Sequence, residues 1–138
     1  MRIEEIAKNL PALFSALLVA ILFIQSGLDK VFDWKGNVDW LTGHFSKTFL
    51  NGTVPMMLGT ITVMELATGI LAAFGIVYFV AFGSAVLIFW ASVVGSASIT
   101  ALFFGQRVAK DYVGAAVLVP YFILLIIMMY LTSPFSKI

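Results

Sequence analysis

Long apolar runs alternate with short polar junctions along the whole chain. The runs cover about residues 10–32, 54–74, 77–104 and 112–132. A helix that crosses the hydrocarbon core of a bilayer needs roughly 20 predominantly apolar residues, and each run meets that length. The pattern predicts an all-α fold: an integral-membrane four-helix bundle, formed by residues 1–138 as a single domain.

Local punctuation refines the layout. Pro11 falls in the first turn of the first span and Pro55 starts the second, where a missing N–H costs little. Gly75 is read as the start of a tight connection to the third span. Gly105-Gln106-Arg107-Val108-Ala109-Lys110-Asp111 leads into the fourth. Pro120, inside that fourth span, is expected to kink the helix and free a carbonyl near Ala116.

Residues 1–9 read as a short amphipathic lead-in. Arg2 and Lys8 before an apolar run resemble a signal peptide. Glu4 and Glu5 weaken its basic character, however, and the run continues past Gln25 and Ser26 to Phe32, so it is read as a retained span.

The first loop, residues 33–53, has a pattern of its own. Val38, Leu41, Phe45 and Phe49 follow helical spacing after a candidate cap at Asn37. This fits a short interfacial helix on the membrane surface, or an ordered loop packed over the bundle. Trp34, Trp40 and Tyr112 fall near one interface and Tyr78 and Tyr130 near the other, as aromatic belts do.

Four spans place both termini on one side and both substantial loops on the other, the loop side. Basic residues do not orient the chain. Arg2, Lys8 and Lys137 lie at the termini, and Lys30, Lys35, Lys47, Arg107 and Lys110 on the loop side. A plain count puts the loop side in the cytoplasm. Assigning Lys30, Arg107 and Lys110 to a buried network reverses it.

Composition agrees with the spans. Hydrophobic residues make up 62% and charged residues 11%, with a mean hydropathy of +1.07. A net charge of +1 gives no case for nucleic acid. With no cysteine and one histidine, His44, the chain offers no ligand cluster for zinc, haem or an iron–sulfur centre. His44 is read as a surface residue. In the third span, Ala91, Ser92, Gly95, Ser96, Ile99 and Thr100 form a mostly small-residue stripe that lets helices approach closely. It is assigned to packing within the bundle.

Each charge within an apolar stretch costs roughly 2.5–3.5 kcal/mol to insert, so each requires a reason. On the first span, Gln25 and Asp29 are four apart and share a face, with Lys30 beside them. On the second, Glu65 shares a face with Thr62 and Gly69. The junction before the fourth holds Gln106, Arg107, Lys110, Asp111 and Tyr112. All three groups belong to the loop-side half of the membrane. At 1.5 Å per residue, Glu65 lies roughly 15 Å into its helix and Gln25 roughly 10 Å from the end of its own. A long Lys30 or Arg107 side chain can narrow the gap.

Glu65 is therefore either an ion-pair anchor or a protonated group available for proton exchange. Structural roles compete with site roles elsewhere. Asp29 and Lys30 can snorkel, Arg107 and Lys110 can meet lipid headgroups, and Lys30 and Asp111 suit the dipoles of the helix ends they occupy. Gln25 before Asp29-Lys30 and Gln106 before Lys110-Asp111 also hint at an internal duplication.

The segments Phe23-Ile24-Gln25-Ser26-Gly27-Leu28-Asp29-Lys30-Val31-Phe32 and Gly105-Gln106-Arg107-Val108-Ala109-Lys110-Asp111-Tyr112-Val113-Gly114-Ala115, with Glu65 and Gly69 between them, resemble the DoxX family (DoxX/DoxD-like small four-span membrane proteins). With the span layout, the resemblance covers nearly the whole chain. It implies association with redox proteins. The family is named through its similarity to a subunit of a thiosulfate:quinone oxidoreductase. Some relatives carry cysteines suited to thiol exchange; this chain has none.

Three functions are consistent with these observations. The first is an accessory membrane subunit of a redox assembly, with a quinone or similar amphiphile between the helices. Gln25, Glu65 and Arg107 would then bond the quinone oxygens, and Asp29 or Glu65 would relay protons. No redox cofactor is expected to be intrinsic, and the residues do not favour catalysis by this chain alone. The second is a scaffold that recruits partner proteins through Trp40, Phe45 and Phe49. The third is a proton-coupled or lipid-handling membrane protein, which with four spans would need a homo-oligomer. The lipid bilayer is the common partner, and a bacterial inner membrane is the expected location.

Overall fold

A computed structural model describes residues 3–134; Arg2 and Lys137 lie outside them. Six helices follow one another among the described residues: α1 (Ile3–Lys8), α2 (Leu10–Phe32), α3 (Trp34–His44), α4 (Val54–Phe82), α5 (Val86–Val108) and α6 (Tyr112–Thr132). Four of them, α2, α4, α5 and α6, are long and apolar enough to cross a membrane. The chain is thus a multi-pass membrane protein built as a four-helix bundle.

Helix ends follow local chemistry. The Asn9 side chain bonds the Glu5 carbonyl where α1 stops, and Pro11 occupies the first turn of α2. Asp33 closes α2 through its N–H to the Asp29 carbonyl and also begins α3. That helix therefore starts four residues before the Asn37 cap read from the sequence, and the Asn37 amide bonds back to the Asp33 carbonyl. Val38 and Leu41 are half-buried, Phe45 is buried just beyond the helix, and Phe49 is exposed.

The turn between the second and third spans also moves. α4 runs through Gly75 to Phe82, and the chain reverses at residues 83–85. Gly83 has φ of 76° and its N–H bonds the Phe79 carbonyl, a left-handed C-terminal cap that favours glycine. Gly75 serves packing instead. A Cβ there would lie 2.9 Å from the Ile88 backbone nitrogen, so its absence lets α4 and α5 meet next to their turn.

Each span turns one stripe inward. α2 buries Ala12, Ala16, Val19, Ala20, Phe23 and Gly27, a helical spacing that faces the core. α5 buries Ala91, Ser92, Gly95, Ser96, Ser98 and Ile99. Thr100, the last member of the expected stripe, is exposed, and its hydroxyl bonds the Ser96 carbonyl. Neighbours run α2–α4–α5–α6 around the bundle, with α2 and α6 closing it. Phe23, Ile88, Leu125 and Met128 fill the centre. The outer surface is apolar as well, with Phe14, Phe74, Trp90 and Ile123 exposed, as befits a chain whose solvent is lipid. α6 continues unbroken through Pro120, which sits on its exposed side.

Candidate functional site

Two polar clusters occupy the loop-side end of the bundle. The first joins α2 to α4. Ser26 and Lys30 are four residues apart and so share a face. They flank the buried stripe that contains Phe23 and Gly27. Lys30 Nζ lies 2.8 Å from Glu65 Oε1 and donates to Ser26 Oγ at 2.8 Å. Ser26 Oγ in turn donates to Glu65 Oε2 at 2.6 Å. The three side chains close a ring in which each touches the other two. Charge-assisted bonds of this length are among the stronger hydrogen bonds in proteins. Glu65 is buried, while the Lys30 side chain keeps 19% of its exposure.

Backbone approach makes the ring possible. A Cβ on Gly69 would lie 2.8 Å from the Ile24 nitrogen, and one on Gly27 would lie 2.5 Å from Leu66 Cδ2. Both contacts lie along the α2–α4 seam just beyond Glu65, and they draw the helices close enough for its short carboxylate to reach Ser26. Thr62, one turn earlier, bonds its own helix at the Leu58 carbonyl and stays outside the ring.

The second cluster joins the end of α3 to the α5–α6 junction. His44 Nε2 donates to Gln106 Oε1 at 2.8 Å and lies 3.8 Å from Asp111 Oδ2. Asp111 Oδ1 accepts from the Gly114 N–H at 2.9 Å, so this carboxylate caps α6 as well. The His44 ring stacks on Trp40, with centroids 4.5 Å apart, and meets Phe45 edge-on at 5.1 Å.

The residues singled out in the sequence therefore divide into three sets. Lys30 and Glu65 meet each other. Gln106 and Asp111 meet His44. Gln25, Asp29, Arg107, Lys110 and Tyr112 are exposed and join neither cluster. One residue of helical phase separates Gln25 and Asp29 from Ser26 and Lys30, and it turns the first pair outward. Arg107 stacks over the Tyr112 ring, 4.3 Å from its centroid, rather than reaching towards Glu65. Lys110 takes a left-handed φ of 60° in the turn between α5 and α6.

Two participants were missed. Ser26 is a lone hydroxyl in an apolar helix, and such hydroxyls commonly bond their own backbone. Its spacing to Lys30 was the available signal. His44, read as a surface residue, is half-buried because Gln106, 62 positions away, supplies its partner.

Between the two clusters lies a cavity of about 490 Å³. Lys30 and Gln106 bring one polar group from each cluster to its wall, and Trp40, Phe45, Ile61 and Met64 supply apolar surface. α3 and the segment after it cover the side facing the loops. Among the described residues, no group of three or more His, Asp or Glu side chains could hold a metal ion.

No family model, curated protein or solved structure matches the chain.

Proposed function

We propose that this chain is a DoxX-like accessory membrane subunit of a quinone-linked redox assembly, and that its cavity holds the head of a quinone or a similar amphiphile. The cavity between the two polar clusters carries this reading. Its volume, about 490 Å³, falls in the roughly 300–1,000 Å³ range of small-molecule sites, which are mostly apolar with a few placed polar groups.

The residues present fit such a head. The Gln106 amide is a donor for a ring oxygen, and the Lys30 ammonium can offer the N–H that otherwise makes a long 3.4 Å bond to the Ser26 carbonyl. Trp40 and Phe45 are flat apolar surfaces for the ring. Glu65 compensates the charge of Lys30 at 2.8 Å, so the wall favours a neutral acceptor over an anion such as thiosulfate. Ser26 and Glu65 hold Lys30 in place, and α3 lines the loop side of the cavity. A bound quinone would supply the electron-transfer chemistry for which a chain without cysteine has no thiol group. A partner protein would exchange those electrons, and a bacterial inner membrane is the location such an assembly implies.

Native mass spectrometry of the protein, gently extracted from its own membrane, tests this reading. The expected result is a quinone bound to the wild-type chain and lost from Gln106→Leu. Bulk phospholipid alone, recovered with a partner protein, would replace the reading with that of a scaffold.

A further inference from the structure

The cavity is lined on its loop side by α3 and on its flank by α4 and α5. α4 and α5 are joined at their far ends by the turn at residues 83–85. Towards the loop side both helices line the cavity. Met57, Ile61 and Met64 of α4 and Leu102 and Gly105 of α5 line it from within. Met56 and Thr60 of α4 and Ala101 and Phe104 of α5 also line it, yet all four are exposed on the outside of the bundle. Residues that are at once cavity wall and outer surface mark the rim of an opening. Between α4 and α5 four of them face one another, and Trp40 of α3, 62% exposed, is a fifth on the loop side.

The rim lies within the first turns of the spanning helices, counted from the loop side. Met56 and Thr60 are roughly 3 and 9 Å into α4, and Phe104 and Ala101 roughly 6 and 10 Å from the end of α5, at 1.5 Å per residue. Met56 and Phe104 are 71% and 56% exposed, which is natural for apolar side chains that meet acyl chains. Thr60 turns its hydroxyl back to the Met56 carbonyl at 2.9 Å, so the rim shows no free hydroxyl to lipid. Phe49 packs against Phe104, with centroids 6.4 Å apart, on the loop side of the opening.

Polar groups thus stand inside, at Lys30 and Gln106, and an apolar gap leads sideways into the bilayer. We propose that this gap between α4 and α5 is a lateral portal, through which an uncharged, acceptor-headed amphiphile enters from the membrane and along which its hydrocarbon tail stays. The inference rests on the reading of the cavity as a quinone-type head site and adds the class of ligand, one dissolved in lipid and bearing a tail.

The test uses the full chain in nanodiscs with Trp34→Phe and Trp90→Phe, leaving Trp40 at the cavity wall as the sole tryptophan. Quenching of its fluorescence reports binding of two benzoquinones that share one head, the first without a tail and the second with a decyl tail. Ala101→Phe narrows the rim. The tailed probe should lose about tenfold in affinity or more, while the tail-less probe changes by less than about twofold. Thr60→Phe, on the opposite rim, should do the same and serves if Ala101→Phe does not fold. Phe104→Ala widens the rim and should speed association of the tailed probe alone. Equal effects on both probes, or none on either, would overturn the portal while leaving the head site standing. Failure of the tail-less probe to bind the wild-type cavity would overturn both.

Discussion

Lys30 Nζ and Glu65 Oε1 stand 2.8 Å apart across the α2–α4 seam, and Lys30 is also part of the cavity wall. One cation therefore neutralises a buried carboxylate and presents a polar group to the cavity. The pair enters the membrane with its charges matched, which offsets part of the cost that either would meet alone.

Removing one partner should expose that cost. Lys30→Met leaves Glu65 buried without its counter-charge. The loss for breaking a buried pair is about 3–5 kcal/mol, and the partial exposure of Lys30 places this case at the lower end. The double variant Lys30→Met/Glu65→Leu should recover most of the loss, since an apolar pair of similar volume is often neutral relative to a buried ion pair. Equilibrium unfolding in mixed micelles measures both. A single variant as stable as wild type would show that the pair contributes nothing.

Ser26 and Gln25 are neighbours in sequence and opposites in environment. Ser26→Ala removes a bond to a charged acceptor and should cost about 1.5–3 kcal/mol. Gln25→Leu, on the exposed face, should change stability by less than about 0.5 kcal/mol. The two are compared by thermal unfolding in one detergent. Were Gln25→Leu the more damaging of the two, the phase of α2 would be wrong.

Sequence legibility followed punctuation. α2 and α6 run over residues 10–32 and 112–132, as their hydropathy indicated, because Pro11 and Asp111 mark their starts. The α4–α5 turn was not legible in the same way. No charged residue lies between Glu65 and Arg107, and Gly75 and Gly83 look alike in a string of letters. Only the fold separates a glycine that admits a neighbouring backbone from one that takes a positive φ. Glu65 and Lys30 stood out because charge in an apolar run is costly. Ser26 and His44 did not, because their roles arise from contacts 39 and 62 positions away.

The seam that carries the ring should be intolerant of bulk. A Cβ on Gly69 meets the Ile24 backbone nitrogen at 2.8 Å and the Ala20 oxygen at 3.3 Å, and backbone atoms cannot step aside as a side chain can. Gly69→Ala should therefore destabilise by about 1–3 kcal/mol, as over-packing does. Gly43→Ala in α3, with nothing within 4 Å of its new Cβ, should be neutral or stabilise by about 0.5–1 kcal/mol, since alanine is the better helix former. Denaturant titration of the two variants decides the matter, and a Gly69→Ala protein as stable as wild type would contradict the close α2–α4 approach.

The second cluster has two separable functions, and hydrogen exchange can tell them apart. Asp111 holds the start of α6 through the Gly114 N–H and also lies near His44. Losing an N-cap carboxylate costs about 1 kcal/mol, and asparagine retains the accepting oxygen. Asp111→Ala should therefore speed exchange in the first turn of α6, whereas Asp111→Asn should leave it slow. His44→Ala spares that cap and removes the hydrogen bond between α3 and Gln106. No residue of α3 is fully buried, so this helix has little else to hold it over the cavity. Exchange should rise across residues 34–44 in His44→Ala while α6 keeps its wild-type protection. If α3 were held by apolar contact alone, His44→Ala would leave its exchange unchanged, and the bond to Gln106 would be incidental to how the cavity is covered.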